Sequence, residues 1–202
     1  MDEIVLRGMA KWPNVPSVYG WLGLDRRGQW LLKGERIPNP LVTEFIGRNY
    51  ARDERGCWYF QNGPQRVFVN LDYAPFVLRT VNREGDPLEL RTHNEKPVSR
   101  VDGVWVDESG VLIVESEHGA GTVHDRDLER LVPSLVDASS HPVDEADLDS
   151  LMEALQRGQA AALWLAIGGS KLKIEPIVSR DVPARFRFTP QPEPPTGEEV
   201  CR

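Results

Sequence analysis

Asp53-Glu54-Arg55-Gly56-Cys57-Trp58 reads as a tight reversal that runs into a strand. Three further segments of the same form decide the fold class: Asp25-Arg26-Arg27-Gly28, Asn82-Arg83-Glu84-Gly85 and Asp107-Glu108-Ser109-Gly110. Asp or Asn opens such a turn because its short side chain accepts a backbone N–H, and Gly closes it because it takes a positive φ without a Cβ clash. Each turn therefore predicts two antiparallel strands. The starts lie 28, 29 and 25 residues apart, and Trp30 and Trp58 follow the first two at the same offset.

The flanks read as strands. Trp21–Leu24 and Trp30–Lys33 enclose the first turn, and Cys57–Gln61 follows the second. Arg66–Leu71 alternates, with Val67, Val69 and Leu71 on one side. Phe76–Val81 should pair with Leu88–Thr92, and Val104–Val106 with Val111–Glu115. Gly168-Gly169-Ser170 predicts a last hairpin between Ala161–Ile167 and Lys171–Ile177.

Helices are expected at three places. Asn39-Pro40 is a capping residue followed by proline at the first helical position, ahead of a stripe of Leu41, Val42, Phe45 and Ile46. Asp125 can cap a short second helix, which Pro133 limits. The third runs from Asp144 to Arg157, with Leu148, Leu151, Met152 and Leu155 on one side and Gly158 at its end.

The order hairpin, helix, hairpin occurs twice, with one helix inserted in the second copy. The expectation is a β-rich α+β protein of two related domains, 1–98 and 99–189, arising by internal duplication. Residues 190–202, opening on Pro190-Gln191-Pro192-Glu193-Pro194-Pro195, are poor in apolar side chains and lose a backbone donor at each proline, and are expected to be a disordered tail.

Among 202 residues, 24 Lys+Arg stand against 31 Asp+Glu, a net charge of −7, and 40% hydrophobic content supports a core. Residues 1–100 hold 15 Lys/Arg and 12 Asp/Glu, whereas residues 101–202 hold 9 and 19. A surplus of three positive charges over a hundred residues is thin for a nucleic-acid binder. No apolar run nears the roughly 18 residues that span a bilayer, and Met1-Asp2-Glu3-Ile4 is not a basic leader, so a cytoplasmic protein without membrane association is expected. Cys57 and Cys201 are expected as reduced thiols.

No motif points to catalysis or to a bound cofactor. His118, His124, Asp125 and Asp127 have metal-binding residue types but no third ligand at zinc spacing, and no Gly-x-Ser-x-Gly elbow or phosphate loop occurs. Tryptophans at strand positions read as core, while Lys11–Pro16, with two prolines, reads as an extended strap. The candidate site is Asn62-Gly63-Pro64-Gln65-Arg66: Asn62 and Gln65 supply amides, and Arg66 a planar fork for phosphate or carboxylate. Arg48 and Arg52 precede the same hairpin, and Trp58 could back a pocket. The expected ligand is small and anionic. The alternative is a protein-interaction module whose acidic second half meets a basic partner.

The run from Gly20 to Val77 resembles a known pattern. Trp30 and Gly34 precede the Pro40 helix with Leu41, Val42 and Phe45. Then come Arg52-Asp53-Glu54 with Gly56, and Val67 and Val69 with Asp72 and Ala74-Pro75-Phe76-Val77. It is similar to an uncharacterised bacterial family, domain of unknown function 1285, or to a proteobacterial sister family. The resemblance implies a duplicated β-rich core whose second half is loosely similar to a pleckstrin-homology fold. It also implies a small, anionic or nucleotide-like ligand held where the two domains meet and a signalling role, with no enzymatic activity assigned. It transfers no functional residue.

Overall fold

A computed structural model describes residues 1–12, 15–81, 88–197 and 200–201. The chain is an α+β protein built on two large sheets, which fall into two compact units: Met1–Pro75 with Arg187–Arg202, and Phe76–Phe186.

The first unit opens with α1 (Glu3–Lys11), β1 (Ser17–Leu24), β2 (Trp30–Leu32) and β3 (Glu35–Arg36). It continues through α2 (Pro40–Arg48), β4 (Tyr50–Arg52), β5 (Trp58–Asn62) and β6 (Gln65–Leu71). The sheet order is β3-β2-β1-β6-β5-β4, with β1 and β6 parallel at its centre. The turns work as their residue types dictate. Asp25 Oδ1 accepts from the N–H groups of Arg27 and Gln29, and Asp53 Oδ1 from those of Arg55 and Cys57. Gly28 and Gly56 take φ of +76° and +80°. Trp30 packs edge-on to Tyr50, Tyr50 lies against Trp58, and Phe45 of α2 meets Phe60, so this face of the sheet is an aromatic core beneath α2.

The second unit starts with β7 (Phe76–Val81), β8 (Glu89–Thr92), β9 (Pro97–Val98), β10 (Val101–Val106), β11 (Leu112–Ser116) and β12 (Gly119–Val123). There follow α3 (Leu128–Leu131), β13 (Leu135–Val136), α4 (Glu145–Gln156), β14 (Trp164–Ile167), β15 (Ser170–Pro176) and the one-turn α5 (Val182–Arg185). Its sheet runs β13-β14-β15-β10-β11-β12-β7-β8-β9. Within it β12-β11-β10-β15-β14-β13 has the order seen in the first sheet, and β10 and β15, like β1 and β6, pair in parallel. The turn at Asn82 lies outside the described residues.

Four expectations need correction. The division falls after Pro75 rather than at 98, because β12 takes β7 as a parallel neighbour and so draws β7, β8 and β9 into the second sheet. Residues 187–197 are not a loose tail: Thr189 N–H donates to Gly56 O, Leu71 N–H donates to Pro190 O, and Phe188 is buried. Proline lacks a donor but keeps its carbonyl, and that carbonyl is what the chain uses here. The strand β16 (Val200–Cys201) then pairs in parallel with β1. On α2 the expected stripe is only half buried, since Ile46 is covered while Leu41 is 72% exposed and Val42 is also outside. Finally, the short helical stretch after β12 is capped by the buried His124, whose Nδ1 accepts from Arg126 N–H, rather than by Asp125 alone.

Candidate functional site

The β5–β6 loop is the two-residue Gly63-Pro64, with Gly63 at φ +57° in keeping with a type II′ turn. That loop fixes the register: Asn62 pairs with Gln65, Gln61 with Arg66, and Tyr59 with Phe68. Because side chains alternate, Gln61 and Arg66 share one face, while Asn62 and Gln65 take the other. On the Gln61 face Tyr19 stacks on Phe68 at 4.4 Å, and Cys57, Tyr59 and Phe68 form a buried cluster. Tyr59 carries the Arg66 guanidinium 4.8 Å above its ring.

Helix α1 covers the hairpin tip. Asn49, almost wholly buried, accepts from Asp2 N–H through Oδ1 at 2.7 Å and donates through Nδ2 to Phe45 O. Its own carbonyl accepts from Gln61 N–H, which links the helix start to β5. Gly8 faces the loop, and a Cβ there would make ordinary van der Waals contact with Gly63 and Pro64 at 3.4–3.6 Å.

Between α1 and the hairpin lies a groove of about 430 Å³, lined by Met9, Trp12, Val15, Gln61, Pro64 and Arg66 together with Ser17. This size is within the roughly 300–1,000 Å³ of small-molecule sites. Trp12 is 59% exposed, with Lys11 Nζ 5.7 Å from its ring centroid. Gln61 is only 1% exposed; its Nε2 donates to Gly63 O at 2.8 Å, while its Oε1 is buried with no partner among the described residues. A buried acceptor left unpaired costs about 1–3 kcal/mol. Arg66 has no carboxylate within ion-pair distance among the described residues.

The six sequence candidates do not assemble as one site. Arg66 lines the groove, and Gln65 beside it donates to Pro16 O at 3.1 Å. Asn62 is exposed at the hairpin tip. Trp58 is buried in the aromatic core on the opposite sheet face, so it cannot back the groove. Arg48 is engaged by Asp2 at 3.3 Å and Glu44 at 3.8 Å, and Arg52 donates to Arg187 O. The groove belongs to the first unit alone, whereas the resemblance placed the ligand where two domains meet. The extended strap expected over Lys11–Pro16 does not begin as read, because Lys11 is the last residue of α1 and Trp12 its C-cap, and Pro13 and Asn14 lie outside the described residues.

Gln61 is the residue that reading by type missed. The two-residue loop was its signal: counting back from Gly63-Pro64 sets Gln61, not Asn62, across from Arg66. Met9 and Trp12 were missed with α1 itself, whose stripe holds one buried residue, Val5.

The histidines and acids with metal-binding residue types serve other purposes. Asp127 accepts from Arg79 Nε at 2.6 Å and from Thr80 N–H, and His118 Nε2 lies 2.8 Å from Pro97 O. Burial alone would raise the Asp127 carboxyl, but the Arg79 guanidinium and the Thr80 N–H outweigh it and hold it below the usual range. No three His, Cys, Asp or Glu residues among those described converge on a metal position. No helix among the described residues is long and apolar enough to cross a membrane.

Fold and site together define a β-rich α+β protein with a polar-floored groove on its first sheet. The chain belongs to the family described as "Protein of unknown function (DUF2946)", whose model matches residues 1–193. It is similar to the crystal structure of a DUF1285 family protein from Silicibacter pomeroyi DSS-3, with a TM-score of 0.53 and 16% identity over 81% of this chain and 85% of that chain. A DUF1285 family protein from Shewanella baltica OS155 matches with a TM-score of 0.42 and 15% identity over 58% of this chain and 91% of the other. The Silicibacter likeness bears out, at the level of fold, the resemblance read from Gly20–Val77. No curated protein matches the chain.

Proposed function

We propose that this chain binds a small anionic, nucleotide-like ligand in the groove between α1 and the β5–β6 hairpin. The observation that carries the reading is the pairing of Gln61 with Arg66 across two strands: a buried, unpartnered amide oxygen beside a guanidinium held over an aromatic ring. A turn of the Gln61 side chain toward the groove would bring Oε1, closed to solvent as it stands, to an N–H or O–H donor, as on a nucleobase edge. Arg66 asks for phosphate or carboxylate, and Trp12 offers a stacking surface. Of the original candidates Arg66 is the ligand-binding residue of this reading, and Gln61 replaces Asn62 and Gln65 as its amide.

A regulatory or signalling role in the cytoplasm belongs to the same proposal and is supported by the family resemblance. The matching strand orders in the two units, each with a parallel central pair, support descent from one duplicated scaffold. Only the antiparallel meanders of the second unit support its pleckstrin-homology likeness.

Thermal-shift and calorimetric titration against a panel of nucleoside mono-, di- and triphosphates tests the site. The wild type should be stabilised by at least one of them. Arg66→Ala should weaken binding about tenfold or more, and Gln61→Leu should weaken it while keeping the melting temperature within a few degrees. An unresponsive wild type, or equal responses in the wild type and Arg66→Ala, would discard the proposal.

A further inference from the structure

The second unit carries a separate apolar groove of about 210 Å³. Leu112, Leu131 and Ile174 are its buried floor, and Val132 on one side and Leu148 and Met152 of α4 on the other are its walls. Leu148 and Met152 stand one helical turn apart, and α4 is anchored one turn further on by the buried Leu155, so the groove-lining pair is left half covered. Val132 is 41% exposed although apolar.

The rim is acidic. Glu129 lines the groove, and Glu145 and Asp149 of α4 occupy the turns beside Leu148 and Met152, exposed to solvent. Residues 145–156 contain no Lys or Arg, and Arg157 just beyond is taken up by Glu153 at 2.8 Å. Arg130, next to Glu129 in the sequence, is exposed and does not line the groove. Across residues 76–186, 12 Lys/Arg face 20 Asp/Glu, a net −8, against +1 for the rest of the chain.

This volume equals roughly seven waters at about 30 Å³ each, below the roughly 300 Å³ at which small-molecule sites begin. It suits one bulky side chain. A second copy of this chain meeting here through a two-fold contact would set one acidic rim against another. We infer that the groove docks a segment of a partner protein presenting one bulky apolar residue, such as Leu or Phe, flanked by Lys or Arg. The apolar anchor supplies affinity by burial, and the rim charge supplies steering and selection.

Selection of phage-displayed dodecapeptides on the full chain at physiological ionic strength tests this. Enriched peptides should share an apolar anchor with flanking Lys or Arg, and their affinity should fall as salt rises. Val132→Arg, at an exposed position, should melt like the wild type and bind them about tenfold less. Asp149→Lys, also exposed, should weaken binding by a similar factor and reduce its salt dependence. Enrichment without that consensus, or unchanged binding by both variants, overturns the inference. A wild-type dimer in sedimentation that Val132→Arg dissociates would assign the groove to a second copy and overturn it equally.

Discussion

Single residues set the turns. Asp107 repeats the device of Asp25 and Asp53, with Oδ1 accepting from Ser109 and Val111 N–H groups at 2.8 Å. Asp137 does the same for Ser139 and His141, but Ser140 sits where the others have glycine, at φ +68°. That turn was illegible because the closing glycine was half of the pattern sought. Glycine matters most where tertiary contact adds to conformation. A Cβ on Gly56 would lie 2.5 Å from Arg187 O, whereas one on Gly34, at φ +86°, meets nothing within 4 Å. Gly34→Ala should therefore cost only the left-handed backbone penalty of about 1–2 kcal/mol. Gly56→Ala should cost about 1–3 kcal/mol more for the clash. Urea denaturation of the two variants checks the ranking, which equal midpoints would refute.

At the scale of elements, strand and hairpin assignments were largely legible, since alternation and Asx-x-x-Gly turns are local properties. β1 with β2, β7 with β8, β10 with β11, and β14 with β15 pair as the sequence predicts. The parallel pairs β1–β6, β10–β15 and β12–β7 left no local trace, because partners dozens of residues apart share no turn. The reversal between β8 and β9 holds a pH-dependent group. His93 Nδ1 accepts from Val77 N–H, and burial, assisted by the positive charge of Lys96, lowers its pKa to about 3. The unfolded chain binds that proton near pH 6.5. Below that pH the unfolded state therefore holds more protons, and stability present above about 6.5 is lost as pH falls toward about 3. Thermal melts from pH 7 to 4 should show a steeper decline for the wild type than for His93→Gln, and parallel curves would refute the assignment.

At the scale of the whole molecule, the chain returns to its first unit at Arg187, and this closing segment is structural. Phe188 is buried, Pro190 O receives Leu71 N–H, and Arg52 donates to Arg187 O. Removing residues 187–202 should destabilise the first unit by about 1.5–3 kcal/mol for Phe188 alone. Hydrogen exchange of β5 and β6 amides would report the loss, and unchanged protection would show the segment to be dispensable. The unequal charge of the two units, +1 and −8, was visible in outline as a contrast between chain halves. Its boundary moved once β7–β9 were seen to belong to the second sheet.

By itself the sequence determined the β-rich class, the hairpin turns at Asp25, Asp53 and Asp107, and the α4 helix, all of which follow from residue type and short-range periodicity. Tertiary structure alone decided that Gln61 rather than Asn62 stands beside Arg66, that Trp58 is core, and that the proline-rich end is seated on the first unit. Those outcomes depend on register, sheet face and partners distant along the chain, which no window of neighbouring residues encodes.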